Sequence, residues 1–178
     1  MKYRWLPMLV CISLSIGCNK SGGSNSELAG LLPKAPEGWK VEQSPTSEAV
    51  SGAGNRAWTS FKPKGASEVV SKVEVTLIRH ADGAGKDASA KLSRVPQMSM
   101  FMEDLTIQDL PAKQSLPLGG HHVILVYVGN TMRLEVVVFA RKPPEGKESG
   151  DVDVKSKTGD LFVSQIDWAR LKAMKSDK

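Results

Sequence analysis

Hydrophobic and polar residues alternate with a period of two at several places along the chain, and those places predict strands. From Arg56 to Lys62, Ala57, Thr59 and Phe61 alternate with Trp58, Ser60 and Lys62. From Lys72 to His80, Val73, Val75, Leu77 and Arg79 alternate with Glu74, Thr76, Ile78 and His80. This period reads as half-buried antiparallel strand, because successive side chains point to opposite faces of a sheet. The strongest signal is the run from Val123 to Val128, then Gly129-Asn130, then Arg133 to Ala140. Two β-rich runs around a pair that tolerates positive φ predict a tight hairpin. Both faces of the first run are apolar, which predicts a central strand covered on both sides. Trp39 and Val41 open an earlier strand, Pro45–Asn55 reads as loop, and Leu105–Lys113 reads as one strand broken near Pro111.

Helical spacing is confined to shorter stretches. Asp87 is placed to cap a helix from Ala88 to Arg94, since its carboxylate can accept from the orphan N–H groups of a first turn, and Pro96 ends it. Met98, Phe101 and Met102 share a face at helical spacing and predict a resumed turn. After Arg141 the chain is charged and Gly-containing to Lys157, which predicts a long loop. A closing helix follows, with Thr158 or Asp160 as its cap, carrying Phe162, Val163 and Ile166. Asp167 recaps a turn that carries Trp168 and Leu171, and Lys172, Lys175 and Lys178 suit its negative end.

The N-terminus changes the picture. Lys2 and Arg4 precede an apolar run (Leu6, Met8, Leu9, Val10, Ile12, Leu14, Ile16) with no acidic residue before Cys18. The run is shorter than the roughly 20 residues that span a bilayer, and it has the layout of a removable secretory signal. Leu14-Ser15-Ile16-Gly17-Cys18 resembles the lipobox of bacterial lipoproteins, with Ser15 where that motif usually carries leucine. The resemblance implies acylation of Cys18, an anchor of several acyl chains at about 0.8 kcal/mol per buried CH₂, and, with Asn19 next, the periplasmic face of the outer membrane. Residues 1–17 then form the signal peptide and 18–30 the lipidated cysteine with a flexible Gly/Ser tether. That tether (Asn19–Glu27) spans about 17 Å as coil. Residues 31–178 form a single α+β domain.

Composition narrows the function classes. The chain carries 24 basic and 19 acidic side chains; removal of residues 1–17 takes Lys2 and Arg4, leaving 22 against 19 and a net of +3. Near balance with interspersed signs lacks the basic footprint of nucleic-acid binding. Both cysteines, Cys11 and Cys18, lie in the signal and lipid segments, so no thiol remains to staple the domain. A domain of about 150 residues buries close to 70% of its unfolded surface and folds without staples.

Three segments carry a further resemblance: Leu32-Pro-Lys-Ala-Pro-Glu-Gly-Trp39, Leu118-Gly-Gly-His-His-Val-Ile-Leu-Val-Tyr-Val-Gly-Asn130, and Ile166-Asp-Trp-Ala-Arg-Leu-Lys-Ala-Met174. Their order resembles that of small bacterial envelope lipoproteins whose domain is similar to the extrinsic PsbP subunit of photosystem II. The resemblance spans roughly Leu31 to Met174. It implies a mainly antiparallel, twisted β-sheet flanked by helices, with a C-terminal helix, and it names no catalytic residue. The long charged loop before the last helix departs from that pattern.

Candidate chemistry is sparse. Leu77-Ile78-Arg79-His80-Ala81-Asp82 resembles the opening motif of histidine phosphatases, which place it in a parallel sheet and bring in a second histidine. The plain alternative is a strand-end Arg-His pair in solvent. Gly83-Ala84-Gly85-Lys86 breaks the phosphate-loop spacing. Met98, Met100 and Met102 are soft ligands that suit Cu(I), and fill core gaps equally well. His80 with His121 is the other candidate metal pair; His121 and His122 are neighbours and point apart in a strand. Glu148, Asp151, Asp153 and Asp160 lie in the charged segment, without the glycine spacing of a calcium loop. Glu148, Asp151 and Asp153 are the partner-binding candidates. These features lead to a lipid-anchored, non-catalytic binding or assembly module, attached to the membrane through its lipid, meeting an envelope protein, and needing no cofactor. The alternatives are a phosphatase using Arg79 and His80, and a carrier of soft metal or small apolar ligand using Met98 to Met102.

Overall fold

The computed structural model describes residues 22–82, 86–95, 101–115, 120–141 and 152–174. Within them run α1 (Gly22–Ala29), β1 (Trp39–Val50), β2 (Gly54–Pro63), β3 (Val70–His80), α2 (Lys86–Leu92), β4 (Met102–Ile107), β5 (Leu110–Ser115), β6 (His122–Val128), β7 (Met132–Ala140), α3 (Val152–Ser164) and α4 (Trp168–Ala173). The strands form one sheet in the order β1-β2-β3-β7-β6-β5-β4, and every neighbouring pair is antiparallel. Two meanders, β1 to β3 and β4 to β7, thus join where β3 meets β7. The fold is α+β, an antiparallel sheet flanked by helices.

The alternation in β3 and β7 divides the two faces. Val73, Val75 and Leu77 of β3, Leu134, Val136 and Val138 of β7 and Ile124 and Val126 of β6 share one core with Leu28 of α1, Phe162 of α3 and Leu171 of α4. Phe162 is its centre, 5.0 Å from the Trp39 ring edge-on and 4.9 Å from Phe61. On the other face, Ile78 packs with Ala88 and Leu92 of α2 and with Ala53. The strand predicted to be covered on both sides, now β6, lies inside the sheet between β5 and β7. Its partner β7 is the central strand.

Several expectations are corrected. The tether assigned to residues 18–30 contains α1, and Leu28 is fully buried in the main core. A Gly/Ser-rich stretch has low helix propensity, but tertiary burial of Leu28 and Leu31 overrides it. The loop assigned to Pro45–Asn55 is mostly strand, since β1 continues to Val50. β1 is an edge strand, where Pro45 costs no ladder bond, and its register shifts between Val41 and Gln43 and between Gln43 and Thr46 absorb the irregularity.

The single strand over Leu105–Lys113 is two. Gln108 (φ 52°) and Asp109 (φ 61°) form a two-residue turn in the left-handed region, the geometry that matches strand twist. Pro111 follows one residue after the turn-closing pair Ile107–Leu110, and the β5–β6 pairing starts only at Ala112. Its missing N–H therefore interrupts no ladder. The helical face of Met98, Phe101 and Met102 is not formed: Met102 begins β4, Phe101 is 81% exposed, and Met98 and Met100 lie outside the described residues. Helix α2 starts at Lys86, so Asp87 lies inside it rather than ahead of it.

The loop expected to reach Lys157 gives way to α3 at Val152, and Thr158 and Asp160 lie within that helix rather than capping it. Thr158 donates its hydroxyl to the Val154 carbonyl one turn back, at 2.7 Å. Lys155, charged and placed in the expected loop, is fully buried and donates to the Gly120 carbonyl at 3.2 Å. Asp167 does cap α4, accepting from Arg170 N at 3.0 Å.

Candidate functional site

At one end of the sheet three chain reversals and a helix enclose a groove of about 870 Å³. The turn between β1 and β2 supplies Ser51, Gly52 and Gly54, the end of β3 supplies Arg79 to Asp82, the β6–β7 turn supplies Gly129 to Thr131, and α1 supplies Glu27. Backbone bonds tie these pieces together. His80 N donates to Thr131 O at 2.7 Å and Ala81 N donates to Ala53 O at 2.8 Å. Gly54 sits at φ +133°, and a Cβ there would come within 2.7 Å of Ala81 N. Only glycine lets the β2 strand begin this close to the end of β3.

The groove carries charges of both signs. Arg79 Nη1 stands 3.9 Å from Glu27 Oε2, with side chains 28% and 52% exposed. That separation is an ion pair without a hydrogen bond. Asp82 adds a second carboxylate to the lining. The His80 imidazole is held below its ordinary pKa, first by partial burial and then by the Arg133 guanidinium, so it is largely neutral near pH 7. The resulting lining is dipolar, with one guanidinium against two carboxylates.

A second polar cluster lies on the face covered by α2. Glu135 (1% exposed) accepts from Ser93 Oγ at 2.8 Å, Arg94 N at 3.1 Å and Arg133 Nη2 at 2.6 Å. Glu74 (4% exposed) accepts from Arg94 Nε at 2.6 Å and Nη2 at 3.3 Å. The same Arg94 guanidinium lies 4.6 Å from the centre of the Trp58 ring. These contacts fasten residues 93–95 across the sheet, while the buried Nε of Arg133 has no hydrogen-bond partner among the described residues.

The residues singled out in the sequence do not converge. Arg79 and His80 end β3 in the groove, whereas Val73 at the other end of that strand aligns with Val138 and, through it, with His122. Seven residues of strand put about 23 Å between them. His80 therefore has neither His121 nor His122 as a phosphatase partner or a co-ligand, and the sheet around it is antiparallel. His121 accepts from Ala140 N at 3.2 Å and packs on Phe139 with ring centres 4.8 Å apart. Burial, with Lys155 and Lys72, lowers its pKa. Met102 lies on edge strand β4, far in the sheet order from β3. Asp153 is exposed in the first turn of α3; Cys18, Glu148 and Asp151 lie outside the described residues. No group of three or more His, Cys, Asp or Glu side chains suited to a metal ion occurs among the described residues, and no described helix is long and apolar enough to cross a membrane.

No family model, curated protein or solved structure matches the chain. The site rests on its own geometry. Sequence inspection picked out Arg79, His80 and Asp82 but not their setting. Glu27, Gly54 and Thr131 come from distant segments, and no spacing rule joins them.

Proposed function

We propose that this chain is a lipid-anchored envelope protein, held through Cys18 at the periplasmic face of the outer membrane, and that its PsbP-like α+β domain is a non-catalytic binding or assembly module. The groove at the Arg79 end of the sheet is its binding site. The observation that supports this reading is the groove itself: a polar cleft built from three turns and a helix, whose histidine lies about 23 Å along the strand direction from the other two. Such a cleft is built to hold a group by hydrogen bonds and charge rather than to pass protons between paired residues.

The experiment is capture from solubilised envelope with the full lipidated chain, the Cys18→Ala variant and the Arg79→Glu variant, followed by mass spectrometry of the bait and of what it retains. The reading expects an acyl group on Cys18 and one recurrent component, reduced by Arg79→Glu. Acylated bait that retains the same components with and without Arg79 would remove the groove from the proposal. The charged segment before α3 is a poorer surface to test by deletion, because cutting through Lys157 removes the fully buried Lys155.

A further inference from the structure

We infer that the groove takes the zwitterionic headgroup of a phosphatidylethanolamine in the membrane to which the chain is tied, an inference that rests on the reading of Cys18 as the lipid site. The path of the chain keeps the groove within reach of the bilayer. From Cys18 to Gly22 is four residues, at most about 14 Å even when fully extended. From Gly22 to Glu27 is five residues of helix, about 8 Å. Glu27 is itself a wall of the groove, and its neighbour Leu28 is fully buried in the core. The groove is therefore held within about 22 Å of the acylated residue. A tether that stayed coil as far as Glu27 would reach further; the helical α1 shortens it.

The chemistry of the lining selects the headgroup. The Arg79 guanidinium presents planar N–H donors suited to phosphate oxygens, and among the described residues its partner is Glu27 at 3.9 Å. Glu27, more than half exposed, can accept N–H bonds from a primary ammonium, and Asp82 is a further carboxylate in the lining. Phosphate and ammonium of phosphoethanolamine are two carbons apart, so one headgroup lies along the Arg79–Glu27 pair and satisfies both ends. A purely anionic headgroup would meet two carboxylates against one guanidinium, with His80 neutral. A quaternary ammonium has no N–H to donate to Glu27.

The test uses the full lipidated chain in vesicles of phosphatidylethanolamine and phosphatidylcholine in equal parts, of phosphatidylcholine alone, and of phosphatidylglycerol and phosphatidylcholine in equal parts. Amide exchange is read over residues 49–55, 79–82 and 129–131. Glycerophosphoethanolamine added to the detergent-solubilised chain forms the free-ligand arm. Exchange in these three segments slows by at least about threefold only in the phosphatidylethanolamine vesicles, as expected once headgroup exceeds about twice its dissociation constant. Glu27→Gln, at an exposed position that leaves folding intact, and Arg79→Gln each abolish the difference. Equal protection in all three vesicles, or protection that survives both substitutions, overturns the inference. Protection by glycerophosphoethanolamine without protection in vesicles overturns the membrane source. Acylated Cys18 with no headgroup selectivity sinks this inference and leaves the anchoring reading standing, whereas a chain without acylation overturns both.

Discussion

His122 and Gly159 meet across the interface between the sheet and α3 so closely that a Cβ on the glycine would lie 3.0 Å from Cδ2 of the imidazole and 3.2 Å from Nε2. The ring is 1% exposed, and its Nδ1 lies 3.1 Å from the Ser115 carbonyl. That pairing puts the proton on Nδ1 and leaves Nε2 as a lone pair, with no hydrogen-bond partner among the described residues, turned towards the glycine.

Gly159→Ala should therefore destabilise the protein although alanine is the better helix former by about 1 kcal/mol. The added methyl meets Ile124 Cδ1 at 2.8 Å as well as the imidazole. Ile124 has a flexible end, but His122 is pinned by Ser115. Overpacking of this kind costs about 1–3 kcal/mol, so a net loss of about 1 kcal/mol is expected in urea denaturation. A stability gain would mean that α3 rides up freely on the sheet.

Acid should weaken the fold through the same histidine. Burial is the first cause of its lowered pKa, and Lys155 adds to it against the opposing pulls of the Ser115 carbonyl and Asp160. Because the folded value lies below the unfolded one, about 6.5, the unfolded chain binds the proton first. Stability is complete above about pH 6.5 and is lost as pH falls from there to the folded pKa, at up to about 1.4 kcal/mol per pH unit for each proton taken up. His80 and His121 are shifted in the same direction and add to the slope. Denaturation midpoints measured from pH 7.5 to pH 4.5 should fall in the native chain and fall less steeply in His122→Gln.

Arg94→Ala should cost about 2–3 kcal/mol, below the full value for breaking a buried pair. The discount follows from the 29% exposure of Arg94 and from Lys72, which still reaches Glu74 at 3.4 Å. A double-mutant cycle with Glu74→Ala reads the coupling directly; additivity of the two losses would mean that the 2.6 Å contact contributes nothing.

Asp167→Ala removes the side-chain acceptor at the start of α4 and should cost about 1 kcal/mol. Met174, just past that helix, lines the groove. Faster amide exchange in residues 168–174 is the local signature to measure.

Much of the sheet was legible because its signal is local. Val73, Val75 and Leu77 alternate against Glu74 and Thr76, and the run from Val123 to Val128 announces a covered strand whatever the rest of the chain does. The hairpin position was legible too, although the pairing of Val128 with Met132 leaves three turn residues, Gly129 to Thr131, rather than two. The second half of β1 was not legible, because an edge strand exposed over most of its length carries no hydrophobic alternation and includes Pro45. Helix α1 was hidden for a related reason: only the burial of Leu28 and Leu31 against distant strands makes a helix of a Gly/Ser stretch. The groove was the least legible of all. Arg79 and His80 looked like a catalytic motif in isolation, and only the register of β3 against β7 separates His80 from the other histidines.

The docking of α1 also has a mechanical consequence. A slack leash transmits little when its end moves; here α1, the first described element, starts only four residues after Cys18. A pull along the N-terminus acts through α1 on Leu28 in the core and on the Glu27–Arg79 contact at the groove. If Cys18 carries the lipid as proposed, movement of the anchor is felt at the Glu27 side of the groove, because α1 joins the two.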